Sequence, residues 1–169
     1  MSETTSFLPA RLVMLDCEMT GVDCTKHELL QAAFVKLELG IDCQYHEVGD
    51  PLVLHFSTDA VPSNDFHKKY LTHIFERCNQ SDLTETQAQD QLHAWLGDWK
   101  GIVTPAGDCV ITDLEFLKNN GVVVRNDIQD EKQIPGTFHY EIFDLNAPKA
   151  FARHLVGEKF TVAGLECLS

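Results

Sequence analysis

The sequence predicts a mixed α/β domain in which one sheet is flanked by helices. Three short apolar stretches separated by polar turns fill its first third, as expected for antiparallel strands. Helical patterns then alternate with short strand-like stretches, which is typical of a sheet covered by helices. The chain has 169 residues, of which 44% are hydrophobic, enough for one core. We therefore expect a single domain over residues 1–169.

Three strands are predicted near the start of the chain. Residues 1–10 form a loose lead-in, and the first strand covers residues 12–17. A polar turn at 20–27 leads into residues 28–39, which are ambiguous between helix and strand. Apolar and polar residues alternate in the second half of that stretch, which favours a strand. Residues 51–56 predict the third strand.

Two helices are predicted in the middle of the chain. Residues 65–78 indicate a short, imperfect helix, and residues 84–96 a more regular one. Thr84 and Gln87 have the spacing of a capping box, and Gly97 is expected to end the helix. One apolar stripe of this helix consists of Ala88, Leu92, Trp95 and Leu96.

The second half of the chain contains weaker patterns. Thr112 is expected to open a helix, with Glu115 completing a capping box. Short strands are expected at 102–104 and 138–143, and a solvated loop at 126–133. A further helix is predicted, capped by Asn146 and covering residues 147–156, and the last 12 residues contain no clear element.

Composition limits the classes of function that fit this chain. With 26 acidic and 13 basic residues its formal charge is −13, so a basic face that binds long nucleic acid is not expected. A nucleic-acid function would be confined to short segments in a cleft where bound cations reverse the acidic field. No apolar run reaches the roughly 20 residues of a membrane helix. Six cysteines without CxxC spacing indicate a reducing, intracellular compartment. We expect a cytoplasmic location, with a mitochondrial or viral origin as the alternative.

Two carboxylates stand at the end of the first predicted strand. Asp16 and Glu18 are two residues apart, so on a strand they project from the same face. Adjacent carboxylates repel one another unless a cation lies between them, and hard ions such as Mg²⁺ or Mn²⁺ prefer oxygen ligands. On spacing alone, a solvated strand edge is an equally good interpretation.

A third candidate carboxylate is Asp113, predicted at the first position of a helix. Acidic residues are favoured there by the helix dipole, so a structural role is the simpler interpretation when Asp113 is considered alone. Its sequence context becomes informative when it is read together with the first strand.

Two motifs resemble those of the oligoribonuclease and ribonuclease T branch of the DEDDh 3′-to-5′ exonucleases. The string D-C-E-M-T-G at residues 16–21 is similar to the first motif, and T-D-L-E-F-L at residues 112–117 to the second. The string I-F-D-L at residues 142–145 resembles the strand before the third motif. The resemblance implies a ribonuclease H-like fold, which is a mixed five-stranded sheet flanked by helices.

The resemblance also implies a chemistry and a set of site residues. Carboxylates of the family hold two divalent ions, Mg²⁺ or Mn²⁺, which activate water and stabilise the charge on the attacked phosphorus. Asp16, Glu18 and Asp113 would be the metal-binding and catalytic residues. Met19, Thr20 and Gly21 would form the slot for the 3′-terminal nucleotide of short single-stranded RNA or DNA.

The family's third motif, His-x-x-x-x-Asp on a last helix, is not found in the 169 residues. We therefore expect the last helix to be missing and hydrolysis by this chain to be weak or absent. The alternatives are a fragment of a longer enzyme, or a non-catalytic module that binds nucleic-acid ends or a protein. Without the helix, Val162, Leu165 and Leu168 would form an apolar patch suited to a partner or a homodimer.

Asp144 offers a substitute for that motif by spacing only. It follows His139 by five residues and Tyr140 by four, matching two variants of the family's motif. On the predicted strand, His139 and Asp144 face opposite sides, and Tyr140 lies about 13 Å away along the chain. We interpret Asp144 as a strand-end residue that caps the following turn.

Overall fold

The computed structural model describes residues 9–123, 127–129, 132–134, 136–139 and 141–145. Its strands are β1 (Arg11–Met19), β2 (Leu29–Leu39), β3 (Tyr45–Glu47), β4 (Leu52–His55), β5 (Thr104–Gly107), β6 (Asp127–Gln129), β7 (Lys132–Ile134) and β8 (Phe143–Asp144). Its α-helices are α1 (Thr72–Cys78), α2 (Glu85–Leu96) and α3 (Val110–Asn119), with a π-helix at His67–Leu71 and a 3₁₀ turn at Gly97–Trp99.

The main sheet is mixed and has the order β3-β2-β1-β5-β8, with β4 also paired to β2. β1 and β2 are antiparallel from Arg11↔Glu38 onwards, which confirms the predicted antiparallel start and the strand assignment of residues 28–39. β5 pairs with β1 in parallel, and β8 pairs with β5 in parallel. The described residues contribute six strands to this sheet, and β3 and β4 lie on the same side of β2 because they pair with different parts of it.

β3 is a strand that the sequence did not predict. Its three residues are Tyr45, His46 and Glu47, which show no apolar alternation. Backbone pairing with β2 holds it in place, and the Tyr45 hydroxyl donates a hydrogen bond to the Pro9 carbonyl at 2.7 Å. β3 therefore depends on partners that are distant in sequence.

The larger of two hydrophobic clusters among the described residues forms where α2 and α3 pack against the sheet, and the smaller one joins α1 to Leu30 of β2. β1 is buried almost throughout its first half because it lies between β2 and β5. The largest side chains that are completely buried in this core include Phe34, Leu54, Leu92, Leu96, Phe116 and Leu117. Of the predicted α2 stripe, Ala88, Leu92 and Leu96 are buried, while Trp95 is only half-buried. None of the described helices has the length and apolar character needed to cross a membrane.

The predicted capping box of α2 is confirmed. The Thr84 hydroxyl accepts a hydrogen bond from the Gln87 backbone N–H at 3.3 Å. The Gln87 side-chain oxygen accepts one from the Thr84 backbone N–H at 2.9 Å. Two N–H groups at the helix start are thereby satisfied.

Thr84→Ala should destabilise the protein by about 1 kcal/mol because it removes one half of this capping box. Chemical denaturation measured by circular dichroism tests the expectation. Thr86→Ala is the matched control, since Thr86 is exposed inside the same helix and alanine is the better helix former. Equal destabilisation by the two substitutions would contradict a capping role for Thr84.

The imperfect helix expected over 65–78 is confirmed, since these residues are helical throughout and the π-helix at His67–Leu71 leads directly into α1. The next predicted strand has different boundaries. The strand expected at 102–104 is instead Thr104–Gly107, and Ile102 is exposed. Pairing with β1 extends this strand through Pro105, although proline lacks an N–H and usually marks a strand end.

α3 begins at Val110, three residues before the predicted first helical position, so Asp113 is the fourth helical residue instead of the first. The predicted capping box of Thr112 and Glu115 is wrong. Cys109 occupies the cap position in a left-handed conformation, and its carbonyl accepts from the Thr112 N–H at 2.9 Å. Thr112 is thus already inside the helix, where its side chain cannot act as an N-cap.

Two predictions in the last third are also wrong. The expected loop at 126–133 contains the antiparallel pair β6 and β7. The expected strand at 138–143 is replaced by the short β8, because residues 138–139 turn inward: Phe138 is buried and the His139 N–H donates to the Val103 carbonyl at 2.8 Å. The expected helix at 147–156 and the apolar segment at 162–168 lie outside the described residues.

Candidate active site

Three parallel strands bring aspartates to one edge of the sheet. The register places Met14 of β1 beside Ala106 of β5, and Ala106 beside Phe143 of β8. Asp16 therefore lies near the end of β1, Asp108 immediately follows β5, and Asp144 ends β8. α3 begins just after β5 and contacts all three strands.

The close approach of β5 to β1 depends on Gly107. A Cβ atom at this position would lie 2.5 Å from the carbonyl oxygen of Leu15, which is a backbone atom. Since no side chain fits there, the ends of the two strands remain at short distance. The Leu145 N–H donates to the Gly107 carbonyl at 3.0 Å, so the end of β8 is attached at the same point.

The strand that carries Asp16 and Glu18 continues regularly to Glu18, as the same-face prediction requires. The residue between them, Cys17, is buried in the core. Desolvation, followed by the nearby charge of Asp108, raises the pKa of Asp16. Desolvation and then the charge of Asp16 raise the pKa of Glu18. The two carboxylates thus lie in a partly desolvated, negative environment.

Asp113 is the buried carboxylate of the site, with 3% of its surface exposed. Burial raises its pKa to about 8, with further contributions from Asp16, Glu18, Asp108 and Asp144. Its Oδ2 atom is buried and has no hydrogen-bond partner among the described residues. Such a group is costly unless it is protonated or neutralised by a cation.

The donor set fits a hard divalent cation, since it consists of carboxylate oxygens around one unpartnered buried oxygen. Within the described part of the chain, however, no three His, Cys, Asp or Glu side chains close around a common point. The carboxylates are therefore near enough to affect one another's pKa but are not arranged as a complete ligand cage.

The predicted nucleotide slot, Met19, Thr20 and Gly21, lies directly after these carboxylates. The Thr20 N–H donates to the Glu28 carbonyl at 3.0 Å, and the Thr20 hydroxyl accepts from the Glu28 N–H at 2.9 Å. The His27 ring lies against Gly21, where a Cβ atom would approach it to 2.6 Å. Two hydrogen bonds between Thr20 and Glu28 thus join the two ends of the turn. Met19 packs against the hydrophobic core.

Sequence reasoning did not identify Asp108 as a site residue and interpreted Asp144 as a turn cap. Both charges raise the pKa of Asp113, so both residues lie within electrostatic reach of the site. The signal that could have identified Asp108 is its position at the end of a strand parallel to β1. His139 precedes β8 and does not share a strand with Asp144, so the geometry assumed for that substitute pair was wrong.

Comparison with known proteins supports the resemblance. The oligoribonuclease of Vibrio vulnificus is 26% identical over 156 residues, which are 88% of this chain and 78% of that protein. The oligoribonuclease of Actinobacillus pleuropneumoniae is 30% identical over 147 residues, 84% of this chain and 73% of that protein. No protein-family model matches the chain.

A solved exonuclease I from Methylocaldum szegediense has a similar fold. Its TM-score is 0.58 at 17% identity, covering 90% of this chain but only 31% of the exonuclease chain. The chain thus spans about a third of that structure's length. Together with the mixed sheet and its helices, this similarity defines a ribonuclease H-like fold and confirms the predicted fold class.

The level of identity to the Actinobacillus protein, and the share of that protein covered, establish the relationship. The chain belongs to the oligoribonuclease family, within the DEDDh superfamily of 3′-to-5′ exonucleases.

Proposed function

We propose that the protein is a metal-dependent 3′-to-5′ exonuclease that acts on short oligonucleotides. The observation that carries the proposal is Asp113 Oδ2, a buried carboxylate oxygen without a partner among the described residues, near Asp16 and Glu18. The relatives named oligoribonuclease provide independent support.

Asp16, Glu18 and Asp113 would hold the divalent ions, Mg²⁺ or Mn²⁺. Ions bound there supply an activated water and stabilise the charge that develops on the phosphate oxygens. The role of the three side chains is to concentrate negative charge in a partly desolvated pocket, which favours a small, highly charged cation.

Thr20 and Met19 would bind the last nucleotide of the strand. Because the Thr20 oxygen already accepts the Glu28 N–H, its own O–H is directed to another acceptor, such as a terminal ribose hydroxyl. Met19 would pack against the base, since a thioether adapts to different flat surfaces. The net charge of −13 is consistent with short substrates that contact only this cleft.

The general base is not assigned to a described residue. Among the described residues, no histidine is one of the groups that shift the pKa of Asp16, Glu18 or Asp113 in either direction. The described residues would therefore perform metal binding and recognition of the 3′ end.

A 5′-labelled RNA pentamer incubated with the protein and Mn²⁺ tests the proposal. We expect slow, stepwise shortening from the 3′ end that stops when EDTA removes the metal, and still less reaction on a pentamer with a 3′-phosphate. If the pentamer is unchanged while a nucleoside monophosphate still binds, the chain is instead a module that binds nucleic-acid ends. If the pentamer is not shortened and no nucleoside monophosphate binds, the proposal is overturned.

A further inference from the structure

A group of cations without ion-pair partners among the described residues lies on the helical stretch at 67–78. Lys68, Lys69 and Arg77 are exposed, and none of them forms an ion pair with a described carboxylate. Glu76 is the single acidic residue of the stretch. In a protein with a formal charge of −13, the sign of the charge is thus reversed along this helix.

Four exposed side chains form a line along this stretch, which we call the cationic stripe: Lys69, Tyr70, His73 and Arg77. Spacings of three and four residues place them on one side of the helix. The stripe is about 12 Å long, at a helical rise of roughly 1.5 Å per residue. The opposite side of the helix is buried against Leu30 of β2, so the stripe remains open to solvent.

Tyr70 adds an aromatic surface to the cationic stripe. Its side chain is half exposed, and the Lys69 ammonium lies 4.7 Å from the centroid of its ring. The ring of Phe66 packs against the ring of Tyr70, with 5.1 Å between the centroids. Single-stranded nucleic acids bind to this combination, because a base stacks on the ring while the adjacent phosphate contacts the cation. An acidic protein segment would use only the cations.

The sheet register connects the cationic stripe to the candidate active site. Glu18 of β1 pairs with Gln31 of β2, and Gln31 pairs with His55 of β4. Paired residues project from the same face, so these side chains form a row about 10 Å long, two strand spacings of roughly 4.8 Å. α1 contacts β4 at the end of this row. Desolvation, followed by the charges of Arg77 and His73, lowers the pKa of His55, so the row ends close to the stripe.

We propose that the cationic stripe binds the nucleotides 5′ of the terminal one in a single-stranded RNA whose 3′ end lies at the carboxylates. Lys69 and Arg77 would contact phosphates, and Tyr70 would stack on a base. The inference rests on the proposed function and extends the cleft from Glu18 along the row of paired residues to α1. It assigns to this helix the preference for an oligonucleotide over a dinucleotide.

The acidic majority of the surface does not prevent this binding. At physiological ionic strength the electrostatic interaction between exposed charges is largely screened beyond about 8 Å. Phosphates in direct contact with the cationic stripe therefore interact with its cations more strongly than with distant carboxylates. Because the stripe is only about two helical turns long, it suits a few nucleotides and not a long strand.

Fluorescence anisotropy of a 5′-labelled RNA pentamer in EDTA and 50 mM salt tests the proposal, since without metal the strand is bound but not shortened. Lys69→Gln and Arg77→Gln should each weaken binding by about fivefold and reduce the slope of log affinity against log salt by about 0.7. Lys118→Gln is the matched control, because Lys118 is an exposed lysine of α3. We expect it to change the affinity less than twofold. No binding of the pentamer by the wild-type protein would overturn the proposal.

Tyr70→Leu distinguishes RNA from an acidic protein as the occupant of the cationic stripe. Loss of stacking should weaken pentamer binding by about 10-fold. Poly-L-glutamate is the comparison ligand, because it carries negative charges without bases. If it binds as tightly as an RNA of equal charge, or if Tyr70→Leu retains the wild-type affinity for the pentamer, the stripe is a surface for acidic protein and the proposal is overturned.

Shortening assays with Mn²⁺ separate this inference from the proposed function. Lys69→Gln and Arg77→Gln should raise KM for the pentamer and leave the cleavage of a dinucleotide unchanged. Wild-type kinetics of both variants on both substrates, or equal losses on the two, would overturn the inference and leave the proposed function intact. If no RNA is shortened while binding still depends on the stripe, the proposed function is overturned and the RNA-binding surface is retained.

Thermal unfolding identifies substitutions that damage the helix. Lys69→Arg keeps the charge and should retain most of the affinity for the pentamer, whereas an affinity as low as that of Lys69→Gln would contradict a role of the charge. If Arg77→Gln does not fold, Lys69→Gln provides the same test, since Lys69 lies in the π-helix before α1.

Discussion

Asp16→Asn should lower the rate of RNA pentamer shortening by about 10³-fold, the largest effect of any single substitution that we expect. Asp16 is the carboxylate of β1 whose charge raises the pKa of both Glu18 and Asp113, so it is electrostatically coupled to the other two proposed ligands. Asparagine has nearly the same shape but no charge, and it cannot replace an anionic ligand. Initial rates with Mn²⁺ in excess provide the measurement.

The control for this substitution is Asp90→Asn, which removes an exposed charge from α2 at a distance from the sheet end. We expect it to retain the wild-type rate. Thermal unfolding of both variants in EDTA establishes that they are folded. A folded Asp16→Asn variant that shortens RNA at more than a tenth of the wild-type rate would exclude Asp16 as a metal ligand.

Asp113→Asn should stabilise the metal-free protein at pH 8 by several kcal/mol. The pKa of Asp113 is about 8 in the folded protein and near 3.8 in the unfolded chain. Between these values the folded state binds the additional proton, so the stability of the wild-type protein falls as the pH rises from about 4 to about 8. Each pKa unit corresponds to about 1.4 kcal/mol.

Urea unfolding in EDTA, repeated from pH 5 to pH 8, measures this dependence. Most of the slope should disappear in Asp113→Asn, and a smaller part should remain because the pKa values of Asp16 and Glu18 are also raised. Asp90→Asn should keep the wild-type slope. If Asp113→Asn retains the full slope, the buried carboxylate does not cause the pH dependence.

The parts of the fold that follow local chemistry could be predicted from the sequence. β1 has an uninterrupted apolar run, and the capping box at Thr84 and Gln87 needs only contacts within one helical turn. The two carboxylates of β1 were found for the same reason, because strand geometry alone places Asp16 and Glu18 on one face.

The parts that depend on distant contacts could not be predicted. β5 extends through Pro105 because β1 lies beside it, and β3 forms because β2 offers backbone partners. Asp108 and Asp144 approach the site only through the register of parallel strands. No local pattern around either residue contains that information.

The contact between Gly107 and Leu15 makes the site unevenly tolerant of mutation. Exchange of the charged residues for neutral ones should leave the fold intact, and at Asp113 the exchange should stabilise the metal-free protein. Gly107 has no such freedom, since even the methyl group of alanine at this position would push β5 away from β1. Evolution of a new activity on this scaffold would therefore alter the acids long before it altered the glycine.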